Sequence, residues 1–286
     1  MTQRRRYLAL VLLVACAGLL LTFVQQAALR AQEDPPPPPT PQAFGPVAFA
    51  ISPPLSELPP VSEVKPDEDP IEQQEIKERP IKTFRTETGS DPTPDGVIQT
   101  DPVPEVLPGP SLSFEGISNQ DNFNLFAFRV SPPDTVGDAG PNHYVQVVNL
   151  VIRIFDKTGA PLTPARKFSS IFAALPAPCN TRDDGDPIVL YDPLADRWLL
   201  SQFCTVANPN NHQVIAISQT GDPTGAYFLY DFMMPNNKFN DYPKFGVWPN
   251  AYYMTDNQFN QAGTVFLGGG MFAFRNHDKI SQRRTA

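Results

Sequence analysis

Three aromatic residues stand 54 positions apart: Tyr144 in PNHYVQVVN, Trp198 in ADRWLLSQF and Tyr252 in PNAYYMTDNQF. Two residues before each comes a turn former, Asn142, Asp196 or Asn250. Further upstream lies an aspartate-bearing loop, PPDTVGDAG, DDGDPIVLYD or NDYPKFGVW. A fixed period of this size constrains the chain more than any composition figure, because a unit so small cannot bury a core alone and must stack on its neighbours. In the second unit DPIVLYD, DRWLLSQF, HQVIAIS and AYFLYDF are rich in β-branched and aromatic residues, and PLA, TVANPNN and QTGDPTG between them are turn chemistry. Four antiparallel strands in about 50 residues is the size of one propeller blade. The first unit supplies HYVQVVN and VIRIFDKTG, the third KFGVW, AYYMTDNQF, TVFLG and GMFAFR. The expectation is an all-β domain over residues 111–275, an incomplete propeller-like array of about three four-stranded units. Tyr144, Trp198 and Tyr252 would be the core aromatics that pack one unit on the next. KFSSIFAAL alone reads as a short helical piece, and residues 276–286 read as an irregular tail.

The rest of the chain differs sharply. Residues 32–110 hold 20 of the 34 prolines, with 15 acidic and 5 basic side chains, whereas residues 111–286 are nearly balanced at 15 and 13. The formal charge of -8 therefore belongs mostly to the proline-rich stretch. A domain without a basic face is not built for nucleic acid. Prolines interrupt every candidate helix in 32–110 and apolar residues occur singly, so the segment reads as a disordered, acidic stalk. Residues 1–31 carry Arg4, Arg5 and Arg6 ahead of an apolar run from Tyr7 to Val24, which is the pattern of an export segment. Three outcomes stay open: cleavage near Ala28 or Ala31, lipidation at Cys16 behind Leu13-Val14-Ala15, or an uncleaved anchor. Each makes the remainder extracytoplasmic, secreted or held at the cell envelope, with membrane contact only through this segment.

The chemistry-bearing residues are few. If the loops of the three units gather on one rim, Asp134, Asp138, Asp183, Asp184, Asp186 and Asp241 gather with them. Oxygen-rich loops with a glycine suit calcium, so calcium is the candidate cofactor for Asp134, Asp138, Asp184, Asp186 and Asp241. The competing reading is that these aspartates cap turns. Cys179 and Cys204 flank the hairpin GDPIVLYDPLADRWLLSQF, whose return brings them together as a candidate disulfide in an oxidising compartment. His143, His212 and His277 are scattered without metal-ligand spacing and read as surface residues. No phosphate loop, dinucleotide fingerprint or nucleophile elbow is present, and no catalytic residue can be named.

PPDTVGDAGPNHYVQVVN, DDGDPIVLYDPLADRWLLSQF, IAISQTGDPTGAYFLYDF and NDYPKFGVWPNAYYMTDNQF together resemble a family of large exported bacterial proteins with a propeller-like domain behind the signal peptide. The resemblance covers about residues 111–275. It implies an extracellular module, often found beside adhesive domains, and it transfers no catalytic residue. Family members continue past the point where this chain stops, which makes a truncated adhesin a third reading. The function expected is a cell-surface or secreted binding module with a glycan or protein ligand. SQTGDPTGAY sits where sialidase-like propellers carry a structural turn, so the alternative is a glycoside-active enzyme. Three units leave open faces at both ends of the array, through which copies of the chain would associate.

Overall fold

A computed structural model describes residues 40–61, 73–75, 109–206 and 211–275. The chain divides into two units, residues 1–44 and 45–286. Of the first unit only residues 40–44 are described, and they carry no regular element. The export segment with Cys16, most of the stalk and the tail with His277 lie outside the described residues.

The second unit is all-β. In chain order its elements are β1 (Ala48–Ile51), β2 (Gln73–Glu75), α1 (Asn119–Phe126), β3 (Arg129–Ser131), β4 (Val136–Ala139), β5 (His143–Val148), β6 (Val151–Asp156) and β7 (Arg166–Lys167). After a 3-10 turn at Phe168–Phe172 come β8 (Ile188–Asp192), β9 (Arg197–Cys204), β10 (His212–Ser218), β11 (Tyr227–Met233), β12 (Lys238–Trp248), β13 (Ala251–Asn260) and β14 (Phe266–Arg275). Three antiparallel sheets follow one another along the chain. The first runs β4-β5-β6-β7, the middle one β1-β11-β10-β9-β8, and the third β12-β13-β14. A short parallel pair, β2-β3, stands apart from them. None of the described sheets closes into a barrel.

Strands β9 and β10 at the centre of the middle sheet are buried on both faces, whereas β1 and β11 alternate. Val189, Trp198, Leu200, Val214 and Leu229 share one apolar core with Val145, Val147, Ile152 and Ile154 of the first sheet. Ile188, Leu199 and Ile215 share another with Tyr252, Met254 and Phe274 of the third. Burial on both faces is why RWLLSQFC and HQVIAIS read as near-continuous apolar runs rather than alternating ones.

The three aromatics of the 54-residue period all lie on the second strand of a sheet, opposite Ala139, Tyr191 and Val247 respectively. Trp198 is fully buried, donates its indole N–H to the Gly221 carbonyl at 3.1 Å and leans on Tyr191 with ring centroids 5.1 Å apart. Gly140 of the first sheet lets the indole approach, since a Cβ there would stand 2.8 Å from Trp198 Cζ2. Tyr252 is 3 % exposed and donates its hydroxyl to Asp192 of the middle sheet at 2.8 Å. Tyr144 meets no earlier sheet. It packs on Phe114 instead, edge to face at 6.0 Å.

Several details differ from the sequence reading. Residues 48–58, inside the stretch read as a stalk, are structured: β1 extends the middle sheet, with Ala48 opposite Asp231 and Ile51 opposite Phe228. Leu55 enters the core, and Arg166 donates to the carbonyls of Pro59 and Leu58. Pairing between positions 180 residues apart leaves no local signal. KFSSIFAAL does form a short helical piece, the 3-10 helix Phe168–Phe172, in which Ser169 is held through its amide and hydroxyl by Asp183. TVFLG and GMFAFR are not two strands but one, since Gly268, Gly269 and Gly270 keep pairing with Gln258, Asn257 and Asp256, Gly268 taking a positive φ of +121° at the register shift beside Gln258. The third sheet therefore has three strands. Helix α1 had no expectation attached; Ser118 and Asp121 form its capping box.

Candidate functional site

The five aspartates proposed for calcium separate into two groups. Asp138 and Asp184 are occupied by local structure. Asp138 Oδ2 accepts the Tyr191 amide at 2.8 Å, tying the first sheet to the middle one. Asp184 Oδ2 accepts the Thr205 amide at 2.7 Å and pairs with Arg182 at 3.1 Å. These two residues serve the turn-capping reading, because an extended strand edge and an irregular loop each leave amides needing acceptors.

Asp134, Asp186 and Asp241 do come together. Counted back from the residue opposite each sheet's aromatic, Asp134 lies five positions before Ala139 and Asp186 five before Tyr191. Asp241 lies six before Val247, and the extra residue is accounted for by the bulge between Asp241 and Lys244. Asp134, Asp186 and Tyr242 all adopt left-handed backbone, the first two just ahead of β4 and β8 and Tyr242 at the bulge inside β12. Asp186 Oδ2 accepts the Tyr242 amide at 2.8 Å, and Asp134 Oδ2 accepts the Asn149 side chain at 2.6 Å. Burial pushes the Asp186 carboxyl up to about 6, against the Tyr242 bond and with the help of the charges on Asp241 and Asp134.

Asp256 adds a fourth carboxyl that the sequence reading missed. It lies on β13 beside the bulge, 6 % exposed, and neither oxygen meets a donor in good hydrogen-bond geometry. Burial raises it to about 6; Gly270, Lys238 and Gln258 pull it down, and Asp241 pushes it up. The meeting place of the three sheets is thus a partly buried acidic junction. Its chemistry is to hold protons at mildly acid pH, or a cation in their place.

A second cluster lies at the other edge of the middle sheet's strands. Cys179 and Cys204 are joined by a disulfide, with Cα atoms 5.7 Å apart. His212, opposite Cys204 in the ladder, brings Nδ1 to within 2.6 Å of Asp231 Oδ1 on β11. One ligand atom each from Cys179, His212 and Asp231 lies within 4.8 Å of the others. The surface reading of His212 is therefore corrected: it is mostly buried, because adjacent strands deliver it, the disulfide and Asp231 to one place. No spacing in the sequence announces this, since the partners are contributed by three separate segments. His143 stays near the surface beside Asp222 at 3.8 Å.

The ends of the array offer two clefts. At the first sheet a cleft of about 430 Å³ is lined by Phe114, Tyr144, Gln146, Asp156 and Lys157 among others. At the third, a shallow cleft of about 390 Å³ is lined by Gly246, Val247, Trp248 and Tyr253. Trp248 is 63 % exposed and Tyr253 41 %.

What fold and site define together is an all-β domain of three antiparallel sheets, packed so that strands β9 and β10 of the middle one are buried on both faces. The chain matches no family model, no curated protein and no solved structure.

Proposed function

We propose that this chain is an exported binding module, a propeller-like array of three blade-sized units, whose ligand is a glycan held on the outer face of the third sheet. The carrying observation is the exposed Trp248 and Tyr253 pair over its cleft. By strand register, Ile188, Leu190, Leu199 and Ser201 of the middle sheet correspond to Lys244, Gly246, Tyr253 and Thr255 of the third. The middle-sheet set packs apolar surface against a neighbouring sheet. The third-sheet set replaces the three aliphatic side chains with an amine, a bare backbone and a phenol and keeps a hydroxyl at Thr255, and a further sheet would strand those polar groups. A polyhydroxylated ring fits better: its apolar face lies on aromatic surface while its hydroxyls meet polar groups. A Cβ built on Gly246 would meet nothing within 4 Å, so the floor of this face is open. The export pattern of residues 1–31 and the family resemblance support the same reading.

A glycan array probed with the full chain, then with Trp248→Ala/Tyr253→Ala, tests it. Retention of a defined glycan class, lost at least tenfold in the double variant with melting unchanged, is the expected result. No glycan retained, or retention indifferent to the variant, overturns it. So does concentration-dependent mass in light scattering that the double variant abolishes, because the face would then be seating a second copy.

A further inference from the structure

The group Cys179, Cys204, His212 and Asp231 contains two sulfurs, an imidazole nitrogen and a carboxylate oxygen. We propose that the reduced chain binds one zinc ion at these four residues, so that metal and disulfide are alternative fillings of one place. The geometry already does most of the assembly. Sγ of Cys179, a ring nitrogen of His212 and an oxygen of Asp231 lie within 4.8 Å of one another, and Cys204 Sγ is bonded to that of Cys179. Three of the four sit on neighbouring strands, β9, β10 and β11, whose register is set by the ladder rather than by a loop. Ligands on rigid elements need little reorganisation to close on a metal. Both cysteines are fully buried and Asp231 is 3 % exposed, so the surroundings compete weakly with a cation for these donors.

The donor set also selects the ion. Two thiolates with a nitrogen and one oxygen favour a borderline-soft, tetrahedral metal, whereas calcium and magnesium require an oxygen shell. Asp231 already meets His212 at 2.6 Å. That contact gives the buried carboxylate a partner in the oxidised chain and holds the two side chains beside the Cys179 sulfur, to which Cys204 is bonded. The chemistry balances simply. A phosphine and water reduce the disulfide to two thiols and become the phosphine oxide. Zinc then displaces two thiol protons. A small-molecule disulfide reverses this, taking up two protons and leaving as two thiols while the protein disulfide re-forms and zinc departs.

The experiment uses the full chain carrying Cys16→Ser, so that only two thiols remain. Reduced, metal-free protein is titrated with zinc against a chromophoric chelator, and separately with cobalt. One zinc per chain, both cysteines shielded from alkylation, and a thiolate-to-cobalt charge-transfer band of tetrahedral intensity are expected. Oxidised protein should bind no zinc, and His212→Gln should weaken binding by more than about tenfold. The cobalt spectrum needs no ligand variant, so misfolding of His212→Gln leaves the test intact. A cobalt spectrum without thiolate character overturns the proposal. Zinc held equally by oxidised and reduced chains, or undiminished in folded His212→Gln, does the same.

Discussion

The two ends of the array solve the same problem differently. At the first sheet, the chain itself covers the outer face: Phe114 rests on Tyr144 and Phe155, and the Ile117 amide donates to Gln146 at 2.7 Å. Gly159, with φ of +88°, leaves room for the Phe114 ring, whose Cγ would stand 2.6 Å from a Cβ there. Helix α1 extends the cover, sending Asn122 to the Leu150 amide and Asp121 to Arg153. At the third sheet Trp248, Tyr253 and Met271 stand exposed, Met271 at 84 %. A face that is only a packing surface gets covered by whatever chain is at hand. The mixed polar and aromatic character of the third face, among the described residues, is what the proposed glycan reading rests on.

The largest effect should come from neither end but from between the sheets. Trp198→Ala removes a fully buried indole and its hydrogen bond, and should cost about 3–5 kcal/mol, or roughly 10 °C of melting temperature. A loss comparable to that of an end residue would show that the first and middle sheets are not one folded body. Removing the disulfide in Cys179→Ser/Cys204→Ser should cost roughly 3 kcal/mol, since the bridge closes a loop of about 25 residues. Phe114→Ala tests the cover directly and should cost about 1 kcal/mol, with faster hydrogen exchange in β5 but not in β13. Equal acceleration in both strands would remove the distinction between the ends.

Three buried carboxyls, two of them in the acidic junction and Asp183 beside Ser169, carry a pH signature. Asp183, Asp186 and Asp256 all have carboxyls raised to about 6 by burial. The folded chain therefore binds more protons than the unfolded chain between about pH 4 and 6, and these groups stabilise less as pH rises through that window. Asp186→Asn should raise stability near pH 7 by about 1 kcal/mol and flatten part of the slope. An unchanged slope would mean that Asp186 keeps the same charge in both states. Calcium that raises melting of the parent chain but not of Asp186→Asn would show that a cation, rather than a proton, fills the junction.

Much of the strand content was legible in the sequence because each hairpin is local. Tyr191 and Trp198 face each other across four turn residues, and the buried runs of β9 and β10 announce themselves by β-branched and aromatic content. What escaped is non-local. β1 is only AFAI, and its partner lies near residue 230. Asp256 sits in AYYMTDNQF with nothing to mark its burial; that follows from the bulge on the strand opposite. The convergence of Asp134, Asp186 and Asp241 could be anticipated as a shared rim, but not their separation from Asp138 and Asp184. That division depends on which amides each loop leaves without an acceptor.

Trp248→Ala/Tyr253→Ala should change stability by no more than about 0.5 kcal/mol, because both side chains already stand in solvent. That makes them safe reporters, and the decisive measurement is hydroxyl-radical footprinting of the full chain with and without the glycan selected on the array. Protection of Trp248 and Tyr253, with Phe114 and Tyr144 unchanged, is the predicted result. Protection of Phe114 and Tyr144 with Trp248 still reactive would place the ligand at the covered end and contradict the account.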